Sequence, residues 1–486
     1  MRIRLAVIGL AATGAMGCRP GDVLSVPAPA GVVGGSTLQN QIGAESAFNG
    51  AKGQLFNAAD GKYNSNGLLM WSGLLTDEFT FSGFAFFAFY GANIDARVTE
   101  GGAAFTEGGD GPWGSLLLAR SGLLVALPVL AQYEPASSRS KIGEAYALVG
   151  YAELLIAESY CAGTPLDAMV SGGGIHYGTP LTTDSLSRVA QVHFDSAVAE
   201  ANGDATVLGL ASVGLGRALM DRGQYAAAAT AVINVPTSFV YNVTLEPNEN
   251  TAPYTANIYG DGVAGAFNRI FNVADQEGGN GMDFISARDP RLVLDSTSYQ
   301  TQDGTYGGVV PGTWYLPLKF EDDLADIPLA TGIEARLIEA ESQLPGNPGT
   351  WLTDLNTLRN SGCSGSADST CTIGTGQVAG QTTGLLPLTD PGTDSGRVSL
   401  MFRERAFWLF GTGTRLGDLR RLIRQYQRDQ SAVFPTGPYA NGNNPNLPTP
   451  LPTYGTDVDL TLPTPASGTL ITNPSYKGCL TSTKVA

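Results

Sequence analysis

The sequence predicts a mostly α fold: a helical-repeat scaffold interrupted by long loop insertions and a few short strands. Three observations predict it. Apolar residues recur at spacings of three and four in several separate stretches, which puts them on one face of a helix. One stretch, 186–236, holds three such segments separated by short breaks, the signature of a helical repeat. Glycine contributes 63 and proline 28 of the 486 residues, and this glycine share is about double the usual one, so the connections between helices are long and irregular.

Helical pattern begins near Thr37, with Ala44, Ala47, Phe48, Ala51 and Leu55 in register. A second amphipathic segment covers about 114–133. A third, 141–160, carries Ile142, Ala145, Leu148, Val149, Ala152, Leu155 and Ile156 and stops at Gly163 and Pro165. Within 186–236 the helices are 189–200, 208–222 and 225–235, ended by Gly223 and Pro236. Leu215, Gly216, Gly223, Tyr225, Ala228 and Val235 fall at tetratricopeptide spacings, where small residues let two antiparallel helices approach closely. One repeat cannot bury its own face, so neighbouring helices are required. Residues 237–320 lack period and read as loops and short strands. Helices return at 327–343 and 351–359, a Gly/Thr/Ser loop covers 361–394, and helices 397–410 and 415–428 close the core before a Pro/Asn/Thr-rich tail. The organisation is one domain over 37–486, with helical repeats at about 114–236 and 327–428 and loop insertions at about 77–112 and 237–320.

Composition excludes several function classes. The formal net charge is −16, which disfavours nucleic acid, because phosphate contacts need clustered Lys and Arg. With 43% hydrophobic and 15% charged residues, the chain can bury a large core and is not globally disordered. His176 and His193 are the only histidines, so His-based metal sites and a catalytic triad are disfavoured. There is no HExxH or GxSxG motif, and Gly411, Gly413 and Gly417 do not follow GxGxxG spacing. No catalytic residue, cofactor or metal is expected.

Residues 1–17 resemble a bacterial lipoprotein signal peptide: Arg2 and Arg4 precede a short apolar stretch, and Ala15-Met16-Gly17-Cys18 resembles a lipobox. In that class Cys18 is acylated and becomes the first mature residue, and acyl chains hold a soluble domain at a bilayer. The alternative is an ordinary signal peptide cut after Ala15. The resemblance implies the outer membrane, because Arg19 rather than Asp follows the cysteine. Residues 18–36, rich in Pro, Gly and Ala, form a tether. Four cysteines remain, an even number that suggests two disulfides in an exported chain. Cys363 and Cys371 lie close together in one loop, which leaves Cys161 for Cys479; free buried thiols are the alternative.

Four stretches together resemble the SusD/RagB family of outer-membrane nutrient-uptake lipoproteins. The first is 144–166, an Ala-rich helix running into Gly-Thr-Pro-Leu. The second is Asp289-Pro290-Arg291-Leu292 followed by Leu318-Lys319-Phe320. The third is 327–344, with an Ala-Glu-Ala helix before Leu355-Asn356 and Arg359. The fourth keeps the order ER…L…G-x-R-x-x-DL-x-R in Glu404, Arg405, Leu409, Gly413, Arg415, Asp418, Leu419 and Arg421. Trp408 and Thr412 stand where many members carry Glu. The resemblance covers about 40–430. It implies a SusD-like helical fold and a non-enzymatic lid. That lid captures oligosaccharide or peptide and delivers it to a SusC-like TonB-dependent outer-membrane barrel, with the repeats facing the transporter and the variable loops binding ligand. The rival is a lipid-anchored helical-repeat scaffold for protein partners; a surface hydrolase would need two facing carboxylates.

Read from the residues, the fourth motif is structural. Asp418 lies three residues from both Arg415 and Arg421 on one helix face, and Arg405 on the preceding helix can reach Asp418. Arg420, Arg421, Arg424 and Arg428 read as a solvated face. Sugar binding needs aromatic faces with polar groups beside them. The candidates are Asp77, Phe86 and Tyr90, in and before the run of Phe79, Phe81, Phe84, Phe86, Phe87, Phe89 and Tyr90, and Trp314 with Tyr315. Glu78 precedes the run; Tyr254, Tyr259 and His176 lie in loops. Core packing is the competing role for the Phe run. Trp71, Trp113, Trp351, Trp408 and His193 fall on helical pattern and read as core or structural.

Overall fold

The computed structural model describes residues 39–60, 67–81, 94–97, 111–170, 174–244, 271–299, 312–320, 325–345, 349–361, 385–439, 453–454, 462 and 473–480. Cys18, the segments 1–17 and 18–36, Phe86, Tyr90, Tyr254, Tyr259, Cys363 and Cys371 lie outside them, as do the tips of both expected insertions.

The chain forms α1 (Gln41–Asp60), α2 (Leu68–Leu75), β1 (Phe79–Phe81), α3 (Gly111–Tyr133) and α4 (Ser140–Ser159). Next come β2 (Thr164–Pro165), β3 (Ala168–Val170), β4 (Gly174–His176) and β5 (Pro180–Leu181), then α5 (Thr183–Glu200), α6 (Ala205–Asp221) and α7 (Tyr225–Val232). After β6 (Val240–Val243), β7 (Phe271–Val273), β8 (Leu294–Tyr299), β9 (Gly312–Pro317) and β10 (Ile327–Thr331), the helices α8 (Gly332–Ser342), α9 (Trp351–Ser361), α10 (Asp394–Trp408) and α11 (Arg415–Arg424) follow. The described strands pair antiparallel, two by two.

Packing follows chain order. α1 lies on α3, α3 on α4, α4 on α5, α5 on α6, α6 on α7 and α7 on α8, while α9 and α10 pack on α8 and α11 meets α2 and α4. This is the helical array that the repeat spacing predicts. α4 is its centre, with Ala145, Leu148, Val149, Tyr151, Ala152, Leu154 and Ile156 fully buried around the helix. Close approach depends on residues without side chains. A Cβ on Gly150 would sit 2.8 Å, and one on Gly214 2.2 Å, from the same Phe194 ring. A Cβ on Gly216 would sit 2.5 Å from Val232, at the tetratricopeptide position where α6 and α7 meet. Gly223, with φ +67°, makes the turn between them, a conformation that costs glycine little. Side chains of Thr182, Asp204, Thr331 and Thr393 accept backbone N–H groups at the starts of α5, α6, α8 and α10.

One expectation needs correction. Residues 327–343 were expected to be one helix, but the first five form β10, all buried and paired with β6 through Ile327↔Val243 and Thr331↔Val240. A short continuous apolar run fits a buried strand as well as a helix, and Pro328 has no N–H for a ladder or a helix interior. α2 was anticipated only through Trp71, which falls on helical pattern; all eight of its residues are buried, so no polar face marks its bounds. α3 is long and apolar enough to cross a membrane. Its Trp113, Leu116, Leu123, Ala126 and Leu130 are buried in the core, and its Arg120 pairs with Glu153 of α4 at 2.7 Å.

A disulfide joins Cys161 to Cys479, 318 residues away. It holds 473–480 against the end of α4, where Leu480 N–H donates to Ala162 O (2.7 Å) and the Asn473 amide donates to Asp167 (2.7 Å).

Gly214→Ala is expected to lower stability by about 1–3 kcal/mol through overpacking against Phe194. Gly53→Ala, on the open face of α1 with nothing within 4 Å of the new Cβ, is expected to raise it by about 0.5–1 kcal/mol. Urea midpoints of the two variants check both signs.

Candidate functional site

The fourth motif builds a buried ion network. α11 reads RLGDLRRLIR, and Arg415, Asp418, Arg420 and Arg421 are all buried. Arg415 donates from Nε and Nη2 to the two oxygens of Asp77, each at 2.7 Å. Arg405 Nε and Arg421 Nη2 each donate to Asp418, at 2.8 and 2.7 Å. Arg421 also donates twice to Glu341 of α8, and the Tyr426 hydroxyl donates to the same carboxylate at 3.0 Å. Glu404 accepts from Arg291 at 2.8 Å and from Arg359 at 2.6 Å. The Arg291 guanidinium lies 5.1 Å from the Phe407 ring and 5.2 Å from Trp408. Trp408 thus offers a cation a ring face at the position where the resembled family often has Glu. Glu404, Arg405, Arg415, Asp418 and Arg421 all serve this network.

Asp77 is corrected from a ligand-facing residue to a buried anchor. It is 1% exposed, both its oxygens are bonded to Arg415, and it also accepts Met282 N–H at 2.9 Å. Its partner is Arg415 rather than a ligand, and Arg415 pairs with it instead of with Asp418. Beside it, Glu78 accepts Gly411 N–H at 2.9 Å. Burial pushes the Glu78 carboxyl up to about 7, against the opposing pull of Gly411 N–H and Arg415. The expected solvated arginine face is likewise corrected for Arg420 and Arg421, which are 1% and 3% exposed. Arg420 donates to the carbonyls of Ala157 and Glu158 at 2.8 and 2.6 Å, at the C-terminal end of α4, where the helix dipole favours a cation. Burial, with Arg424 nearby, lowers its pKa to about 9. Glu158, bonded to Arg217, is pushed up to about 7 by burial, which outweighs Arg217.

Trp314 and Tyr315 lie in a strand cluster tied to this network; Phe86 and Tyr90 lie outside the described residues. β1 pairs with β7, Phe79 opposite Val273, directly after Asp77 and Glu78. The Asn272 side chain then bridges β7 to β9: its amide donates to Thr313 O (3.2 Å) and its carbonyl accepts Tyr315 N–H (2.7 Å). β9 pairs with β8, Trp314 opposite Thr297. Tyr315 is half-buried against the core, so part of its surface remains open; the Trp314 side chain lies outside what is described. Phe79, first of the aromatic run, is 2% exposed and packs 5.1 Å from Phe410, a core role. His176 is exposed on β4. His193 shares a 2.6 Å hydrogen bond through Nδ1 with Glu153, whose other oxygen accepts from Arg120.

Glu158, Arg217, Glu334, Glu341 and Asn272 also serve these networks without having been expected from the sequence. The carboxylates had a signal: each interrupts an apolar helical stretch, where an unpaired charge is costly. Asn272 had none. Among the described residues, no group of three or more His, Cys, Asp or Glu could hold a metal ion.

No family model and no curated protein matches the sequence. Solved structures do match. A SusD superfamily protein from Bacteroides vulgatus has TM-score 0.57 and 13% identity, covering 85% of this chain and 93% of that one. A SusD superfamily protein from Parabacteroides distasonis has TM-score 0.57 and 13% identity, covering 87% and 95%. A SusD-like carbohydrate binding protein from Bacteroides vulgatus has TM-score 0.52 and 16% identity, covering 77% and 82%. The chain has the SusD-like fold; at these identities the likeness is one of fold.

Glu78 and Glu158 have folded pKa values near 7, above their ordinary 4.5. The folded chain therefore binds more protons than the unfolded one between those values, and their contribution to stability falls as pH rises through that window. Glu78→Gln keeps an acceptor for Gly411 N–H and removes one titration. Urea midpoints from pH 5 to pH 8 are expected to fall less steeply for this variant than for the native chain.

Proposed function

We propose that this protein is a lipid-anchored, surface-exposed protein of the cell outer membrane that binds a glycan. In this reading it makes and breaks no bond, and it delivers the glycan to a SusC-like TonB-dependent barrel. The observation that carries the proposal is the SusD-like fold along most of the chain, shared with a carbohydrate-binding neighbour. The lipobox-like segment ending at Cys18 supports the anchor. The Trp314-Tyr315 pair on β9 supports the ligand: an aromatic face packs on the C–H face of a pyranose, and neighbouring polar groups fix the hydroxyls. A peptide ligand would instead use the open edge of a strand or an apolar groove.

Two measurements test this. Tagged full-length chain, pulled down from detergent-solubilised outer membrane, is expected to bring a TonB-dependent barrel with it, and Cys18→Ser is expected to release the chain from the membrane fraction. Calorimetry against a panel of oligosaccharides is expected to find a ligand whose affinity drops by about tenfold in Trp314→Ala or Tyr315→Ala, roughly 1.4 kcal/mol. Isolation of the lipoprotein without a barrel, together with no glycan binding, would move the function to a protein scaffold.

A further inference from the structure

A groove of about 530 Å³ runs between α5 and α7 with α6 as its floor. Leu215 and Leu219 form the floor, Ala227, Thr230 and Ala231 line it from α7, and Gln191 and Asp195 line it from α5. α5 and α7 both pack on α6. Helices pack about 8–10 Å apart and are about 10 Å wide with their side chains, so two helices flanking a third leave a channel one helix wide. Helical spacing extends it: Val198 follows Asp195 by three residues and Ile233 follows Thr230 by three, and they are 37% and 63% exposed.

The chemistry narrows the occupant. No aromatic ring among the described residues lines the groove, so it does not suit a sugar. Its alanines leave depth that bulky apolar side chains would fill. Among the described residues, Asp195 is the one charged residue lining it and forms no ion pair. Arg222, which reaches the groove residue Gln191, is bonded to Asp184 and Gln191. Burial already raises the Asp195 carboxyl, although Gln191 opposes the shift, so a cation delivered there meets a partly desolvated acid. A second copy of a chain carrying −16 would meet like charge.

We propose that this groove docks a short amphipathic helix of a partner protein, one that presents large apolar side chains to α6 and α7 and a lysine or arginine to Asp195. The proposal rests on the helical array alone and stands or falls independently of the glycan reading.

The test uses full-length chain carrying Cys18→Ser, so that no detergent is needed, and two stapled helical peptides. One repeats Leu and Lys at helical spacing; the other has Glu in place of every Lys. Fluorescence anisotropy at physiological ionic strength is expected to show the Lys peptide binding at least about tenfold more tightly than the Glu peptide. Asp195→Asn is expected to weaken the Lys peptide by about threefold, as for a rim ion pair. Ala227→Phe, which fills the groove at constant charge, is expected to weaken it by about tenfold or more. Thr230→Lys, on the rim, is the second blocking variant and serves if Ala227→Phe melts early. Failure of the Lys peptide to bind at high micromolar concentration overturns the proposal. So does binding that both blocking variants leave unchanged, which would assign it to the net charge of the chain.

Discussion

Helix α11 sets the constraint on which the rest of the structure depends. It carries Arg415, Asp418, Arg420 and Arg421 into the interior, each 5% exposed or less. A cation cannot stay there without compensation. The compensating groups come from far along the chain: Asp77 from the turn after α2, Glu341 from α8, and the Ala157 and Glu158 carbonyls from the end of α4. Arg405 of α10 and Arg421 share Asp418. Because desolvation offsets most of the Coulomb gain, the network acts more on which elements meet than on net stability.

That constraint reaches both proposed binding surfaces. On one side, Asp77 and Glu78 fix the turn into β1; β1 holds β7, and Asn272 carries the register on to β9 and Tyr315. On the other, Glu158, Arg217 and Glu334 tie α4, α6 and α8 together, and these are the helices behind the α5–α7 groove. The aromatic strand cluster and the repeat groove are thus two surfaces held to one charged interior.

Much of the fold was legible in the sequence, because an amphipathic helix shows its period. The segments 141–160, 208–222 and 351–359 each predicted a helix found within a few residues. β10 and the bounds of α2 were not legible for the opposite reason: when every side chain is buried, no contrast between faces remains. The candidate site was less legible than the fold. Arg405 with Asp418 could be inferred because the two lie 13 residues apart on adjoining helices. Asp77 was taken for a ligand residue because its partner Arg415 is 338 residues away, and local sequence does not reveal such a partner. Arg420 and Arg421 looked solvated for the same reason. The Cys161–Cys479 disulfide, although 318 residues long, could be inferred because few cysteines compete.

The claim that a buried ion pair positions the turn into β1 is tested most directly by a double-mutant cycle on Asp77 and Arg415. Arg415→Met and Asp77→Asn are each expected to cost about 3–5 kcal/mol, because each leaves a buried group without its partner. The double variant is expected to cost far less than their sum, giving a coupling of at least about 2 kcal/mol. Additive losses would contradict the account, since they would mean that the two side chains stabilise the fold independently.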